Sequence, residues 1–543
     1  MEVLQLLQKN SSILFLPITT NRKDTTMKLL ELYREKIIGA ISGLDRIRFR
    51  GTLRWLANES GISKFLGSES ILLKDFKSWV IERTSNIRKS WDDQARFLGI
   101  EAIYLNRSNV NKEELARKIA EKNGINNGAI CNFSVLETCY APRIKGNRAT
   151  KQLELKFRPT KCIHLYHYFN HIEYGFGHVR LQTWAPYTVS ICLNGHHWLE
   201  RQLIKNGIDY IKDGNCFPWI SDIKFAQELM YEQLKTNWSE MLSGLVYDAC
   251  PNLAMSIYPA CPDYYWSADE TEWSTDIMFN SSAELSSLYS QLLYHGIKSS
   301  ESPSVMRYFG RRDNRGCLPN EVVSDYRRRY EGIRIKHWKN SNSIKMYNKS
   351  GSILRIETTI NNARDFKVFR HPEDDTRRQA SWLKMRKGVS DLHRRCEISD
   401  KCNERYADAL AASHIEEKLK EVVSGACNPI KKKGKRYRGL NPWQNEDYKL
   451  LRFLCKGEHA ISGFRNKDLR NYLYPESMKQ SKLEQRRYSG RTTRRIKLLR
   501  VHGLIKKVSR ENRYMLTAKG QKFVSALMAA SAVDIKGLTN IAA

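Results

Sequence analysis

The 543-residue sequence predicts an α+β protein of several domains, in which a body built on a mixed antiparallel sheet precedes a smaller, helix-rich C-terminal domain. Three observations carry this. The chain is too long for one ordinary core. Runs of alternating apolar and polar residues, punctuated by Asn, Ser and Gly turns, are interleaved with stretches of helical period. And 41% hydrophobic residues, with 12 Trp and 26 Tyr, are enough to fill real cores, which excludes a disordered chain.

The charge is strongly unbalanced, with 91 Lys plus Arg against 58 Asp plus Glu and a net charge of +33. Such a surface attracts polyanions. No apolar run is long enough to span a bilayer and no lipidation motif is present, so nucleic acid rather than an acidic membrane is the expected partner. Residues 431–522 hold 27 basic and 7 acidic residues, and residues 306–349 hold 12 basic and 4 acidic ones. Neither run alternates in sign as a merely solvated face would. The 12 cysteines include no Cys-x-x-Cys pair, the usage of reduced thiols, so a cytoplasmic location is expected. Residues 1–26 have an apolar patch at Ile13–Ile18 but no basic lead-in or cleavage site, and read as a poorly ordered leader, with Met27 an equally good start. The expected organisation is then an N-terminal α/β region at 27–128, a central α+β body with an antiparallel meander at 129–425, a basic linker at 426–443 and a C-terminal domain at 444–543.

In the body, Asn111 caps an expected helix over Lys112–Lys122 that Gly124 closes. Strand-like runs follow at 129–137, 152–157, 162–169 and 178–193, then helices near 223–245 and 283–293. Three short alternating runs at 333–337, 343–347 and 352–360 predict an antiparallel meander.

In the C-terminal domain, Leu450, Leu451 and Leu454 mark a first helix over 446–455. Asn466 offers a cap for a second that Pro475 stops. A third, over 484–502, places Tyr488, Ile496 and Leu499 on one side and Arg487, Arg491 and Arg494 on another, and Gly503 ends it. Strands at 504–508 and 513–517 make a hairpin, and Thr517 caps a last helix. This is the order of a winged helix-turn-helix, and Arg494–Gly520 resembles the third helix and wing of MarR-type bacterial regulators. That resemblance implies DNA as partner: Arg487, Arg491, Arg494 and Arg495 would face the groove, with Lys506, Lys507, Arg510 and Arg513 near the phosphates. Protein contact or structured RNA is the alternative use of such a domain.

Three features of the body point to chemistry. Lys345-Met346-Tyr347-Asn348-Lys349, followed across a turn by Arg355-Ile356-Glu357, is similar to the Tyr-Asp-Lys and Arg-x-Glu pair of some phage and plasmid rolling-circle replication initiators. That resemblance implies a strand-borne carboxylate on a divalent ion and a tyrosine that attacks or positions the phosphate, with Asn348 where the family has Asp. Lys345, Lys349 and Arg355 would contact the strand. Second, Asp45 and Asp276 each sit amid apolar residues, where a carboxylate is costly without a partner. With Glu357 they could hold Mg²⁺ or Mn²⁺; each could equally pair with an arginine. Third, Cys162, His164, His167, His171, His178, His196 and His197 crowd together. Cys162 and His164 suit zinc, whereas the surrounding Tyr166, Tyr168, Phe169, Trp184 and Trp198 argue for core packing or base stacking.

Phe176–Tyr187 and Asn194–Leu199 are also similar to a group of uncharacterised bacterial proteins of about this length, which implies the same architecture. The expected function is a nucleic-acid-binding protein of mobile-element or replication type, with metal-dependent phosphodiester cleavage by Asp45, Asp276, Glu357 and Tyr347. The alternative is a non-enzymatic regulator or structured-RNA-binding protein.

Overall fold

The structure is a computed structural model, and it describes residues 28–258, 263–298, 300, 302–310, 322–330, 332–372, 379–411, 419–432, 434–454, 459, 463–476, 481–508 and 511–532. The expected leader and Arg510 lie outside the described residues. Among them, no helix is long and apolar enough to cross a membrane.

An eleven-stranded mixed sheet organises the body. Its strands are β1 (Ile37–Thr52), β2 (Glu101–Leu105), β3 (Gly128–Asn147), β4 (Gln152–His171), β5 (Gly175–Gln182), β6 (Val189–Asn194), β9 (Tyr265–Phe279), β10 (Val323–Arg329), β11 (Gly332–Lys339), β12 (Asn342–Lys349) and β13 (Ile353–Ile360). A two-stranded ladder of β7 (Tyr210–Ile211) and β8 (Trp219–Ile220) stands apart. The spatial order is β10-β11-β12-β13-β9-β1-β6-β5-β4-β3-β2, antiparallel except where β2 meets β3. The meander expected at 333–360 is β11-β12-β13. The expected boundary at residue 128 has no counterpart here: β1 lies in the middle of the sheet, between β9 and β6, so residues 27–128 and 129–425 share one framework.

Several local expectations are refined. The runs at 152–157 and 162–169 merge into β4, because its partner β3 continues unbroken to Asn147. The run at 178–193 divides at the turn containing Pro186 into β5 and β6. The long helix expected over 223–245 breaks at Thr236 and Asn237.

The helices that position the site are α1 (Glu59–Ser68), α2 (Phe76–Phe97), α3 (Lys112–Lys122), α4 (Gly195–Lys205), α5 (Ile223–Glu232), α6 (Trp238–Ala249), α7 (Ser282–Lys298) and α8 (Leu392–Leu410). α3 is capped as expected, Asn111 accepting from Glu114 N at 3.2 Å. One core joins β1, β4, β5 and β6 to α2, α4 and α6 through Phe49, Trp79, Ile87, Leu165, Ile191 and Trp238; another packs β12 and β13 on α7 and α8 through Leu288, Ile344, Met346, Leu354 and Tyr406. Where β1 has not yet met β6, its free edge is closed by Gln227 of α5, which accepts from Ser42 N at 2.7 Å and donates to Ser42 O at 2.8 Å. Gly43 leaves the room that Met230 of α5 needs.

The C-terminal residues form a separate core. Helices α9 (Leu419–Cys427), α10 (Asn445–Leu454), α11 (Asn466–Leu473), α12 (Lys482–Val501) and α13 (Ala518–Ala532) enclose Leu450, Leu454, Leu469, Ile496, Leu499 and Phe523, with a hairpin of β18 (Ile505–Lys507) and β19 (Tyr514–Leu516). Two further ladders are β14 (Lys367–Arg370) with β15 (Ser381–Lys384), which precedes it, and β16 (Ile430–Lys432) with β17 (Lys435–Tyr437), which follows α9. The segment expected as a linker at 426–443 thus carries structure, and Leu440 is part of this core. The cap of α11 is shifted by one residue: Arg465 N–H donates to Asp468 at 2.8 Å, while the Asn466 amide donates to Thr493 of α12 at 2.9 Å.

Candidate metal centre

Cross-strand partners share a face, so the register assigns the polar side chains of the sheet to one side. Lys345 on β12 faces Glu357 on β13, which faces Ser274 on β9; Tyr347 faces Arg355, which faces Asp276. Glu272, Ser274 and Asp276 alternate with Trp273 and Thr275, so all three lie on that side. β1 joins it through a bulge. Leu44 pairs with Trp273 and Arg46 with Glu272, leaving Asp45 as the extra residue. A bulge re-aims a side chain, and Asp45 is turned toward this face.

The result is a cluster of three carboxylates from three adjacent strands. Asp45, Glu272 and Glu357 each present a ligand atom, and these atoms lie within 4.8 Å of one another. Among the described residues it is the one group of three or more His, Cys, Asp or Glu side chains so arranged. Asp276 is not a member, contrary to expectation. Arg355 takes both its oxygens in a fork, Nε to Oδ1 and Nη2 to Oδ2, each at 2.6 Å. The same guanidinium donates to Asp45 Oδ2 at 3.0 Å and to the Asn215 carbonyl at 2.6 Å. Arg355 is therefore buried and committed, so it does not face a nucleic-acid strand as its position in the sequence motif implied.

Electrostatics separates the three acids. Burial opposes charge on Asp45, but Arg355, His196 and Asn215 outweigh it and hold the carboxyl well below the usual carboxylate range. Burial and the neighbouring Glu357 push Glu272 the other way, up to about 7, against the lowering pull of Lys345. Lys345 forms an ion pair with Glu357 and lies 3.9 Å from Glu272. Tyr347 is buried and donates to Glu357 at 3.2 Å; burial and that carboxylate raise its phenol well above its usual value. His196, at the start of α4, stands 3.4 Å from Asp45 and 3.7 Å from Asp276. Three acids on one sheet face with one partly solvated member suit a hard divalent cation bound through oxygen.

Beyond the cluster β1 carries Arg46, Arg48 and Arg50 on the same face, each 42% exposed or more, with Arg46 and Arg48 beside Glu270 at 3.9 and 3.4 Å and Arg50 paired with Asp269 at 2.6 Å. Sequence reasoning passed over Glu272, although its alternation with Asp276 was the available signal. Of the crowded histidines, His196 abuts the centre, whereas His164 and His167 stand apart from it: both are buried and burial lowers both to about 4, with His167 bonded to Asn132 at 2.8 Å.

In the C-terminal core, Arg487, Arg491 and Arg494 lie exposed along α12, and Lys506 and Lys507 are exposed on β18. Arg513 is half-buried and pairs with Glu511 at 3.1 Å. Arg495 turns inward instead, to Glu446 and to the buried Asp447 at 3.2 Å. Lys349 is half-buried at the end of β12. No protein-family model, curated protein or solved structure matches the chain.

Proposed function

We propose that this protein binds nucleic acid and cleaves phosphodiester bonds with the help of a divalent cation held by Asp45, Glu272 and Glu357. The observation that carries this reading is the convergence of three carboxylates from β1, β9 and β13 beside a solvent-facing row of arginines on β1. Carboxylates with no phosphate-binding groups nearby would be a cation site only; arginines without acids would be a strand-binding surface only. Together they are the components of metal-assisted phosphodiester chemistry. Mg²⁺ or Mn²⁺ bound there supplies charge that polarises the scissile phosphate and lowers the pKa of a bound water. Arg46 and Arg48 bind the strand. Arg355 and Asp276 act as positioning residues, fixing the Asp45 carboxylate, and Tyr347 fixes that of Glu357. Tyr347 suits positioning better than attack, since its buried phenol is held in the protonated form.

The C-terminal core completes the reading as a winged helix-turn-helix of MarR type, with α12 in a DNA groove and β18-β19 as the wing. Support comes from the element order and from three exposed arginines, Arg487, Arg491 and Arg494, that share one side of α12 opposite the buried Ile496.

One observation favours a second reading. Lys345 on Glu357 and Arg355 on Asp45 already compensate charge in the cluster, as they would in a body that binds nucleic acid or structured RNA without cleaving it. Incubation of labelled single-stranded and duplex oligonucleotides with the full chain separates the two. Cleavage is expected with Mg²⁺ or Mn²⁺ and not with EDTA. Glu357→Gln is expected to lower the rate by roughly two orders of magnitude or more, the several kcal/mol that such charge stabilisation supplies. Binding without cleavage under all conditions leaves the second reading.

A further inference from the structure

β4 pairs with β5 only from His164 onward, yet β3 and β4 stay paired out to Asn147 and Gln152. Residues 137–147 and 152–162 therefore form a two-stranded arm that runs past the edge of β5. Its sequence holds Arg143, Lys145, Arg148, Lys151, Lys156, Arg158 and Lys161 against Glu137 and Glu154, and all seven basic residues are exposed. Arg143 faces Lys156 across the ladder, and Arg158 lies one register step away. Lys156 is paired with Glu154 of the same face at 2.9 Å, and the basic residues left over on that face suit an anionic partner.

At the base of the arm lies a cavity of about 730 Å³, within the size range of sites for small ligands. Arg50 and Arg180 line it from the sheet, the buried His164 from β4, and Tyr140 and Phe157 from the arm. The two rings stack on each other with centroids 5.7 Å apart and planes 29° apart, and Tyr140 is 62% exposed, so its outer face is open. Arg50 and Arg180 both pair with Ser190 of β6, which puts that wall of the cavity on the face of the sheet that carries the acidic cluster, whereas Tyr140 and Phe157 reach it from the other face of the ribbon. Asp45 and Arg50 are five residues apart on β1, roughly 16 Å at strand rise. Arg46 and Arg48 fill the interval.

We propose that the arm and its cavity are a binding site for an unpaired strand of nucleic acid that passes round the edge of the ribbon, with phosphates on Arg143, Lys156 and Arg158 of one face and on Arg50 and Arg180, and one base stacked on Tyr140 of the other face. A basic track with an aromatic platform is how sequence-tolerant single-strand binding is built. Stacking on Tyr140 needs a base whose face is free of its neighbours, which selects single-stranded over duplex ligands. The inference rests on the reading that the chain acts on nucleic acid, and names the form of the strand that would reach the acidic cluster.

The test is binding of the full-length chain, in EDTA, to single-stranded DNA and RNA oligonucleotides bearing a fluorescent base analogue and to the matching duplexes. The single strands are expected to bind with quenching of the analogue. Tyr140→Ala should weaken that binding by about tenfold and abolish the quenching, whereas Tyr140→Phe should keep both. Replacing Arg143, Lys156 and Arg158 by Ala should reduce the salt slope for single strands by about 2, near 0.7 for each phosphate that is no longer neutralised. All four positions are at the surface, so the variants are expected to fold. Quenching that persists in Tyr140→Ala, or an unchanged salt slope in the triple variant, overturns the site. Because EDTA removes the cation, these results are independent of cleavage: a chain that binds as described and never cuts loses the cleavage function and keeps this site.

Discussion

At the residue scale the centre is a division of labour among acids that differ in their surroundings. Asp45 is charged because Arg355 is locked against it; Glu272 is held near neutrality by burial and by Glu357. The second fact has a consequence for stability. The folded pKa of Glu272, about 7, lies above the ordinary 4.5 of a glutamate in an unfolded chain. Its contribution to stability is therefore fully present below that ordinary value and is lost as pH rises through about 7. Without divalent cation, the melting temperature is expected to fall between about pH 5 and pH 8, and Glu272→Gln should flatten that part of the profile. An identical pH profile in the variant contradicts the raised pKa of Glu272. Glu357 was legible in the sequence as the acid of the Arg-x-Glu pattern, and Asp45 as an acid amid apolar residues, where a carboxylate needs a reason. Asp276 carried the same signal and has a different role, because its reason is Arg355. Composition does not distinguish a cation partner from a guanidinium partner.

At the element scale two devices decide where these groups go. The bulge at Asp45 brings an acid of β1 beside Glu272 of β9, and nothing in Gly43-Leu44-Asp45-Arg46 announces it, since strand alternation alone sets no pairing register. The elements of the C-terminal core were far more legible: among the described residues the helices that begin at Asn445, Asn466, Lys482 and Ala518, and the strands of the hairpin, start within two residues of where the sequence set them. What periodicity could not resolve was Arg495, one position from Arg494 and therefore about 100° around the helix. The two are expected to separate by measurement. Arg494→Ala should lower the salt slope of duplex DNA binding by about 0.9, the value of one neutralised phosphate. Arg495→Ala should instead lower the unfolding free energy of the C-terminal core by roughly 1.5 kcal/mol by removing the bond to buried Asp447, with the slope unchanged. The reverse pattern would contradict the orientation of α12.

At the scale of the whole molecule the charge of +33 is not a uniform coat. Part lines one face of the sheet, from Arg334 and Lys336 on β11 through Lys345 to Arg46, Arg48, Arg50 and Arg180, and part lies on α12 and β18. The excess of positive charge was readable from composition. The single sheet that unites β1 and β2 with the later strands was not, because β1 reaches its neighbours β6 and β9 across more than a hundred residues of chain. Such non-local pairing leaves no local pattern, and the candidate centre is built from it. Its most direct test is a titration of the metal-free chain with Mn²⁺, followed by the loss of the free-ion paramagnetic signal. The wild-type chain is expected to bind the ion in a site that Glu357→Gln and Glu272→Gln abolish and Arg494→Ala leaves intact. Failure of the wild type to bind at millimolar Mn²⁺, or equal binding by Glu357→Gln, would contradict the assignment of Asp45, Glu272 and Glu357 as a cation site.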